Sequence, residues 1–169
     1  MMYSILVPDS LEEAGLRVLR EAEGLQVTAP GKLSRTDTLA AVADAQALIV
    51  RSDTQVDAEL LEHAPKLRFV VRAGVGVDNI DLDACTRRRI VVMNAPDGNT
   101  ISTAEHTFAM ILALARHIPA ADASMRAGRW DRKLFMGTQL AGKTLGIIGF
   151  GRVGRAVSER ADAFGMAEV

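Results

Sequence analysis

The sequence holds little cysteine, proline or aromatic character: among 169 residues there are one Cys, five Pro, and 4% aromatic side chains. The lone thiol, Cys85, cannot close an intramolecular disulfide, which fits a reducing compartment and a cytoplasmic location. It reads as a buried structural thiol rather than a nucleophile. Long apolar runs are also missing. The most apolar stretch, residues 108–115, falls well short of the roughly 20 residues a bilayer span needs, and Glu105, His106 and Arg116 flank it. The first nine residues lack the basic segment and apolar run of a secretory signal and read instead as the start of a strand. Nor is there an excess of either charge, since 20 basic residues against 21 acidic ones leave a formal net charge of -1. No global field favours nucleic acid or an anionic membrane as a partner, so any anion must be met by a local site. No metal site and no internal repeat are expected.

What is present is a globular composition, 49% apolar and 24% charged with 14 Gly, in a length that allows one domain or two small ones. Short apolar runs alternate with amphipathic segments, the pattern of strand-helix units around a parallel sheet. Strands are predicted at residues 5–7, 25–28, 47–50, 67–71 and 90–93, the near-continuous aliphatic character of the last two suiting cover on both faces. Ser10 is predicted to cap a first helix, Ser34 a second with Asp37 three residues on, and Asp57 a short third that stops before Pro65. The turn-rich segment around Pro96 and Gly98 marks a domain boundary. After it, residues 101–117 read as a helix with apolar side chains on most faces, expected to be buried between elements or subunits.

One motif carries a mechanism. Residues 145–148 read as a buried strand running into Gly149-Phe150-Gly151-Arg152-Val153-Gly154, and residues 155–164 as the following helix. In a strand-turn-helix, Gly149 permits the tight turn, Gly151 lets the backbone approach a pyrophosphate, and Gly154 allows helix to pack on strand. The ligand's charge would rest on the free amides and dipole of the helix N-terminus. A purely structural corner is the competing reading.

Arg72-Ala73-Gly74-Val75-Gly76-Val77-Asp78-Asn79-Ile80-Asp81, Asn94-Ala95-Pro96-Asp97-Gly98-Asn99-Thr100, Ala104-Glu105-His106-Thr107, and the stretch from Thr144 to Gly154 together resemble the D-isomer-specific 2-hydroxyacid dehydrogenase family. The resemblance implies an α/β protein: a flavodoxin-like parallel-sheet substrate-binding domain over residues 1–98, then an incomplete Rossmann NAD-binding domain over 99–169. It implies NAD as cofactor, 3-phosphoglycerate or a similar 2-hydroxy acid as substrate, and a homo-oligomer. Arg51 and Arg72 would face the substrate, with Gly74, Val75 and Gly76 offering backbone amides to its carboxylate. Successive amides around glycines make a concave anion site, and arginine grips phosphate bidentately. Away from such a motif, either arginine would read as a solvated ion pair. Val75 would also approach the nicotinamide, Gly149, Gly151, Arg152, Val153 and Gly154 would hold the pyrophosphate, and Asn94 would line the active site or simply form the turn before Pro96.

By the same resemblance the family's catalytic histidine, glutamate and arginine lie beyond Val169, so the isolated chain is expected not to turn over. His63, His106 and His117 match none of them, and His106 is expected to be a hydrogen-bonded structural residue of its helix. Arg132-Lys133 is either a solvated surface or a reach toward a dimer partner's substrate. Alternatives are another D-2-hydroxyacid dehydrogenase, a non-catalytic corepressor-like protein, and a dimerisation module built on residues 101–117.

Overall fold

In the computed structural model, which describes residues 2–169, the chain forms two compact units, the first ending at Gly98 and the second spanning Asn99–Val169. The first is a five-stranded sheet of β1 (Tyr3–Leu6), β2 (Leu25–Thr28), β3 (Ala47–Val50), β4 (Phe69–Arg72) and β5 (Val91–Asn94). All pairings are parallel and the order is β2-β1-β3-β4-β5, a doubly wound arrangement whose direction of travel reverses between β1 and β3.

The two-residue period of each strand divides its side chains between two cores. Leu6, Leu48, Val50 and Val70 enter one core with Val42, Leu60, Leu61 and Cys85 from the connecting segments. Ile5 and Val7 face the other way with Leu16 of α1 (Glu13–Glu21), against Leu25, Val27 and Ile49. Each fully buried Leu or Val stabilises the fold by roughly 1.5–3 kcal/mol.

Helix starts follow capping chemistry. Ser34 accepts from the Asp37 amide at α2 (Arg35–Ala41), and Asp57 accepts from the Leu60 amide at α3 (Ala58–Glu62). Ser10 does not cap α1: the helix starts after Glu12, with no side-chain cap. The Ser10 carbonyl instead receives the Arg51 guanidinium at 3.3 Å. Helix α4 (Leu82–Arg87), capped by Asp81 on the Ala84 amide, buries Ala84 and Cys85.

The second unit contains α5 (Thr100–Ala115), α6 (Ile118–Arg126), β6 (Thr144–Leu145), α7 (Arg152–Ala163) and β7 (Ala167–Glu168). Its core joins α5 to α7 through Ala104, Phe108, Ala156, Val157 and Ala161. Small residues there let the helix axes approach, and Phe108 meets Phe164 with ring centroids 4.8 Å apart. Arg160 of α7 reaches Glu105 of α5 at 3.5 Å. The cover expected for α5 between elements or subunits is supplied within the chain chiefly on the side facing α7. Ala104 and Phe108 are buried, whereas Ile101, Met110, Leu114 and His106 are exposed. The expected helix over 101–117 is α5, ended just before His117, which is held at φ 55°; Pro119 then helps start a further helix, α6. The expected strand at 145–148 shortens to a parallel ladder with β7, extended by the Ile147 amide on the Val169 carbonyl at 2.8 Å. With no further strand pairing beside it among the described residues, Ile148 stays fully exposed.

Candidate substrate loops and glycine corner

In open parallel sheets, ligands bind outside the carboxyl ends of the strands, and several candidate residues of the first unit gather there. Arg51 directly follows β3, while Arg72 and Asn94 are the last residues of β4 and β5. The register pairs Val50 with Arg72 and Arg72 with Asn94, so these positions are neighbours along one sheet edge.

The chain leaving β4 folds back over the Arg72 side chain. That side chain is only 12% exposed, and its Nη1 lies 2.7 Å from Asp78 Oδ1. Gly76 sits between these groups, where a Cβ would come within 2.7 Å of both. A side chain there would make the tips of both groups give way, so the glycine leaves the ion pair room to close across the loop. At Gly74 a Cβ would meet Arg72 Nε at an ordinary 3.6 Å, so this contact does not require glycine. The end of β5 stitches the loop from the other side: the Ala95 amide donates to the Gly74 carbonyl at 2.9 Å, and Asn94 Nδ2 donates to the Val75 carbonyl at 2.7 Å. The Val75 side chain remains partly exposed.

Arg72 Nε is a buried donor without a protein acceptor, the kind of unmet group that native structures seldom tolerate without purpose. The Asp78 carboxyl is held below its usual range by its own backbone amide and by the Arg72 guanidinium. Arg51 does not join Arg72 through any hydrogen bond among the described residues; its exposed side chain turns to the Ser10 carbonyl.

The glycine corner belongs to the second unit. Gly149 adopts φ 99°, a left-handed conformation open to glycine at little cost. Gly151 precedes α7 in extended geometry, and a Cβ there would meet nothing within 4 Å. Gly154 lies in the first turn of α7, where a Cβ would run into the Gly149 carbonyl oxygen. The helix begins at Arg152 rather than at 155, so Arg152 and Val153 are themselves first-turn residues. Val153 packs on the core, whereas Arg152 is exposed and interacts with other groups of the chain. A helix N-terminus with its dipole, set behind a glycine turn where a Cβ on Gly149 or Gly151 would meet only open space, is the feature a nucleotide pyrophosphate needs. The residues present fit that group.

The three histidines stand apart from these features. His63 Nδ1 lies 2.9 Å from the Glu59 carbonyl at the end of α3. His106 is exposed with no hydrogen bond among those described, correcting the expectation of a bonded structural residue, because it lies on the uncovered side of α5. Cys85 is buried and burial raises its thiol pKa, assisted by Asp81. Arg132 and Lys133 occupy an exposed single-turn helix. No described helix is long and apolar enough to cross a membrane.

Sequence reasoning missed two buried polar residues near the sheet edge. Asp9, just beyond β1, and Asn79, past the Arg72 loop, are 3% and 4% exposed. Neither has a spacing signature, since each acts on backbone groups distant in sequence.

The family profile "D-isomer specific 2-hydroxyacid dehydrogenase, catalytic domain" matches residues 5–164. A D-3-phosphoglycerate dehydrogenase of Rattus norvegicus is 52% identical over 168 residues, covering 99% of this chain and 31% of that protein. The chain thus spans about a third of the length of such curated relatives. Among solved structures, the TT0316 protein of Thermus thermophilus superposes with a TM-score of 0.90 at 38% identity, covering 98% of this chain and 54% of the other. An NAD+-bound 3-phosphoglycerate dehydrogenase of Entamoeba histolytica gives 0.81 at 32% identity, covering 99% and 53%.

Proposed function

The chain belongs to the D-isomer specific 2-hydroxyacid dehydrogenase family, and from that premise we propose that it supplies the substrate-holding part of an NAD-dependent D-3-phosphoglycerate dehydrogenase. The reaction oxidises 3-phosphoglycerate to 3-phosphohydroxypyruvate for L-serine biosynthesis, in the cytoplasm and within a homo-oligomer. Residues before Asn99 form the substrate-binding domain, and those from Asn99 onward open the NAD-binding domain. Curated relatives named for this activity support the reading, as does the NAD+-bound structural neighbour. The exposed apolar residues Ile101, Met110 and Leu114 support the oligomer.

The observation that carries the proposal is the Arg72 loop: a guanidinium with a buried unmatched Nε, folded under glycine-linked amides at the carboxyl end of a parallel strand. In this reading Arg72 and the amides of Gly74, Val75 and Gly76 grip the acidic end of the substrate, while Arg51 receives its other anionic group. Asn94 fixes the loop through the Val75 carbonyl and so sets where those amides point. Positioning of this kind converts binding into rate by holding the reacting carbon in line. Gly149, Gly151, Arg152, Val153 and Gly154 would hold the pyrophosphate, with Val75 at the nicotinamide side. NAD, when bound, supplies the hydride acceptor.

Since the isolated chain is not expected to turn over, the test is initial-rate oxidation with NAD+ by the intact protein, meaning the whole enzyme that carries this part together with the catalytic residues, comparing 3-phosphoglycerate with glycerate and lactate. A kcat/KM at least about a hundredfold higher for the phosphorylated acid is expected, since a phosphate gripped by arginine is worth several kcal/mol. Equal or better use of glycerate or lactate would instead favour another 2-hydroxyacid dehydrogenase, and no oxidation of any of the three would favour the corepressor-like or dimerisation readings.

A further inference from the structure

The two arginine-bearing loops of the first unit are joined by a pair of buried polar side chains that the proposed substrate site does not itself use. The turn Arg51–Thr54 leaves β3 at the point where the sheet order reverses. Asp9, arriving from β1 on the other side of that reversal, accepts from the Arg51 amide at 2.5 Å, the Thr54 amide at 3.4 Å and the Thr54 hydroxyl at 2.5 Å. Asn79 donates through Nδ2 to the carbonyls of Arg51 and Thr54, at 2.8 and 2.7 Å. One residue thus holds the turn by its N–H groups and the other by its C=O groups.

Asn79 is also the far end of the Arg72 loop. Its neighbour Asp78 carries the Arg72 ion pair, and its own carbonyl receives the Val56 amide at 2.8 Å. A shift of the Arg51 turn is therefore transmitted to the backbone that aims Arg72. Buried polar groups bonded in this way rigidify what they join; Asn79 Oδ1 is itself buried without a partner, so the two Nδ2 bonds hold the side chain in place against an unmet-group cost of about 1–3 kcal/mol.

We propose that Asp9 and Asn79 are positioning residues that lock the Arg51 turn and the Arg72 loop into one rigid anion-binding frame. This rests on the reading of Arg51 and Arg72 as substrate residues. Neither Asp9 nor Asn79 touches substrate; each acts through the backbone it holds.

Their chemistry separates positioning from bulk stability. In Asp9→Asn, the amide oxygen can still accept from the two backbone N–H groups, and its NH2 can donate to the Thr54 hydroxyl oxygen once that hydroxyl rotates. In Asp9→Ala every bond to the turn is lost. Asn79→Ala likewise frees both turn carbonyls, whereas Asn79→Gln keeps the amide but moves it by one methylene.

The experiment is steady-state kinetics of the intact protein with 3-phosphoglycerate and NAD+, with thermal unfolding of each variant. Asn79→Ala and Asp9→Ala are expected to raise KM for 3-phosphoglycerate by about tenfold or more while KM for NAD+ stays within about twofold, because misaimed loops weaken substrate contacts first. Asp9→Asn is expected to recover most of that loss. Because Asp9→Ala can cost the fold, Thr54→Val, which deletes one of the three bonds to Asp9, serves as the gentler probe, with a KM rise of about threefold or more expected. Folded Asn79→Ala and Thr54→Val proteins with unchanged KM for 3-phosphoglycerate overturn the proposal. Arg51→Ala and Arg72→Ala in the same assay tell the two failures apart: if they raise KM while the Asn79 and Thr54 variants do not, the frame is wrong and the substrate reading survives. If the arginine variants leave KM unchanged as well, the substrate reading itself has failed.

Discussion

The two units bury their apolar residues in different ways. In the first, a five-stranded parallel sheet carries helices and buried side chains on both faces, and Leu48, Leu60, Leu61, Val50 and Val70 are wholly enclosed. In the second, a helix pair encloses a five-residue core beside a two-residue ladder, while Ile148, Leu114, Met136 and Trp130 remain exposed. A parallel sheet wants cover on both faces, so the first unit holds its loops on a scaffold of its own. The second presents a well-formed glycine corner on a lightly packed support.

Core substitutions should widen this contrast most. Leu60→Ala empties a fully enclosed site and should lower the unfolding free energy by about 3–4 kcal/mol in denaturant titration, with the midpoint falling and the slope unchanged. A loss below about 1 kcal/mol would mean that the first unit is not the rigid scaffold described. Gly154→Ala comes next: its methyl has only backbone to displace, so about 2–3 kcal/mol of local strain is expected, together with a large loss of NADH affinity in fluorescence titration. Unchanged NADH affinity would reduce the corner to a structural turn.

How much of this contrast was readable beforehand differs by element. Strand β3 stood out as an apolar run and β2 as an apolar-polar alternation, and the caps Ser34 and Asp57 could be read because a side chain meeting an amide three residues on is a local event. Helix α4 escaped notice because six residues give less than two turns of periodicity, although Asp81 before an apolar pair was a usable signal. The end of α5 near His117 was legible, whereas α6 was not, since its mixed sequence carries Pro119 as the one start signal. The glycines and arginines announced themselves by motif. Asp9 lay in no motif, and Asn79 lay inside the Arg72–Asp81 motif without its role being legible, since their partners lie on a turn 42–45 and 25–28 residues away in sequence, and only tertiary structure brings them together.

Subtler changes sharpen the comparison within the first unit. Gly76→Ala should push Arg72 and Asp78 apart and raise KM for 3-phosphoglycerate by about tenfold with little change in global stability; an unaltered KM would show that the loop does not depend on this close approach. The pH response has a definite sign. Because the Asp78 carboxyl is depressed in the folded chain, its contribution is present above its unfolded value near pH 4 and is lost as pH falls through the lower folded value. Asp78→Asn should therefore flatten that part of the acid unfolding curve, measured by circular dichroism. An identical curve for both proteins would remove the linkage. The smallest effect is expected at Leu114→Ala, whose side chain is 79% exposed: stability of the monomeric protein should move by less than about 0.5 kcal/mol, while sedimentation reveals any role of that face in self-association.

The central claim concerns Arg72, and calorimetric titration of 3-phosphoglycerate into the intact protein and its Arg72→Ala variant tests it most directly. At least about a thirtyfold weaker Kd in the variant, with NADH affinity retained, is the result expected for loss of a charge-assisted pair. Equal affinity for 3-phosphoglycerate in the two proteins would contradict the assignment of this loop to the substrate.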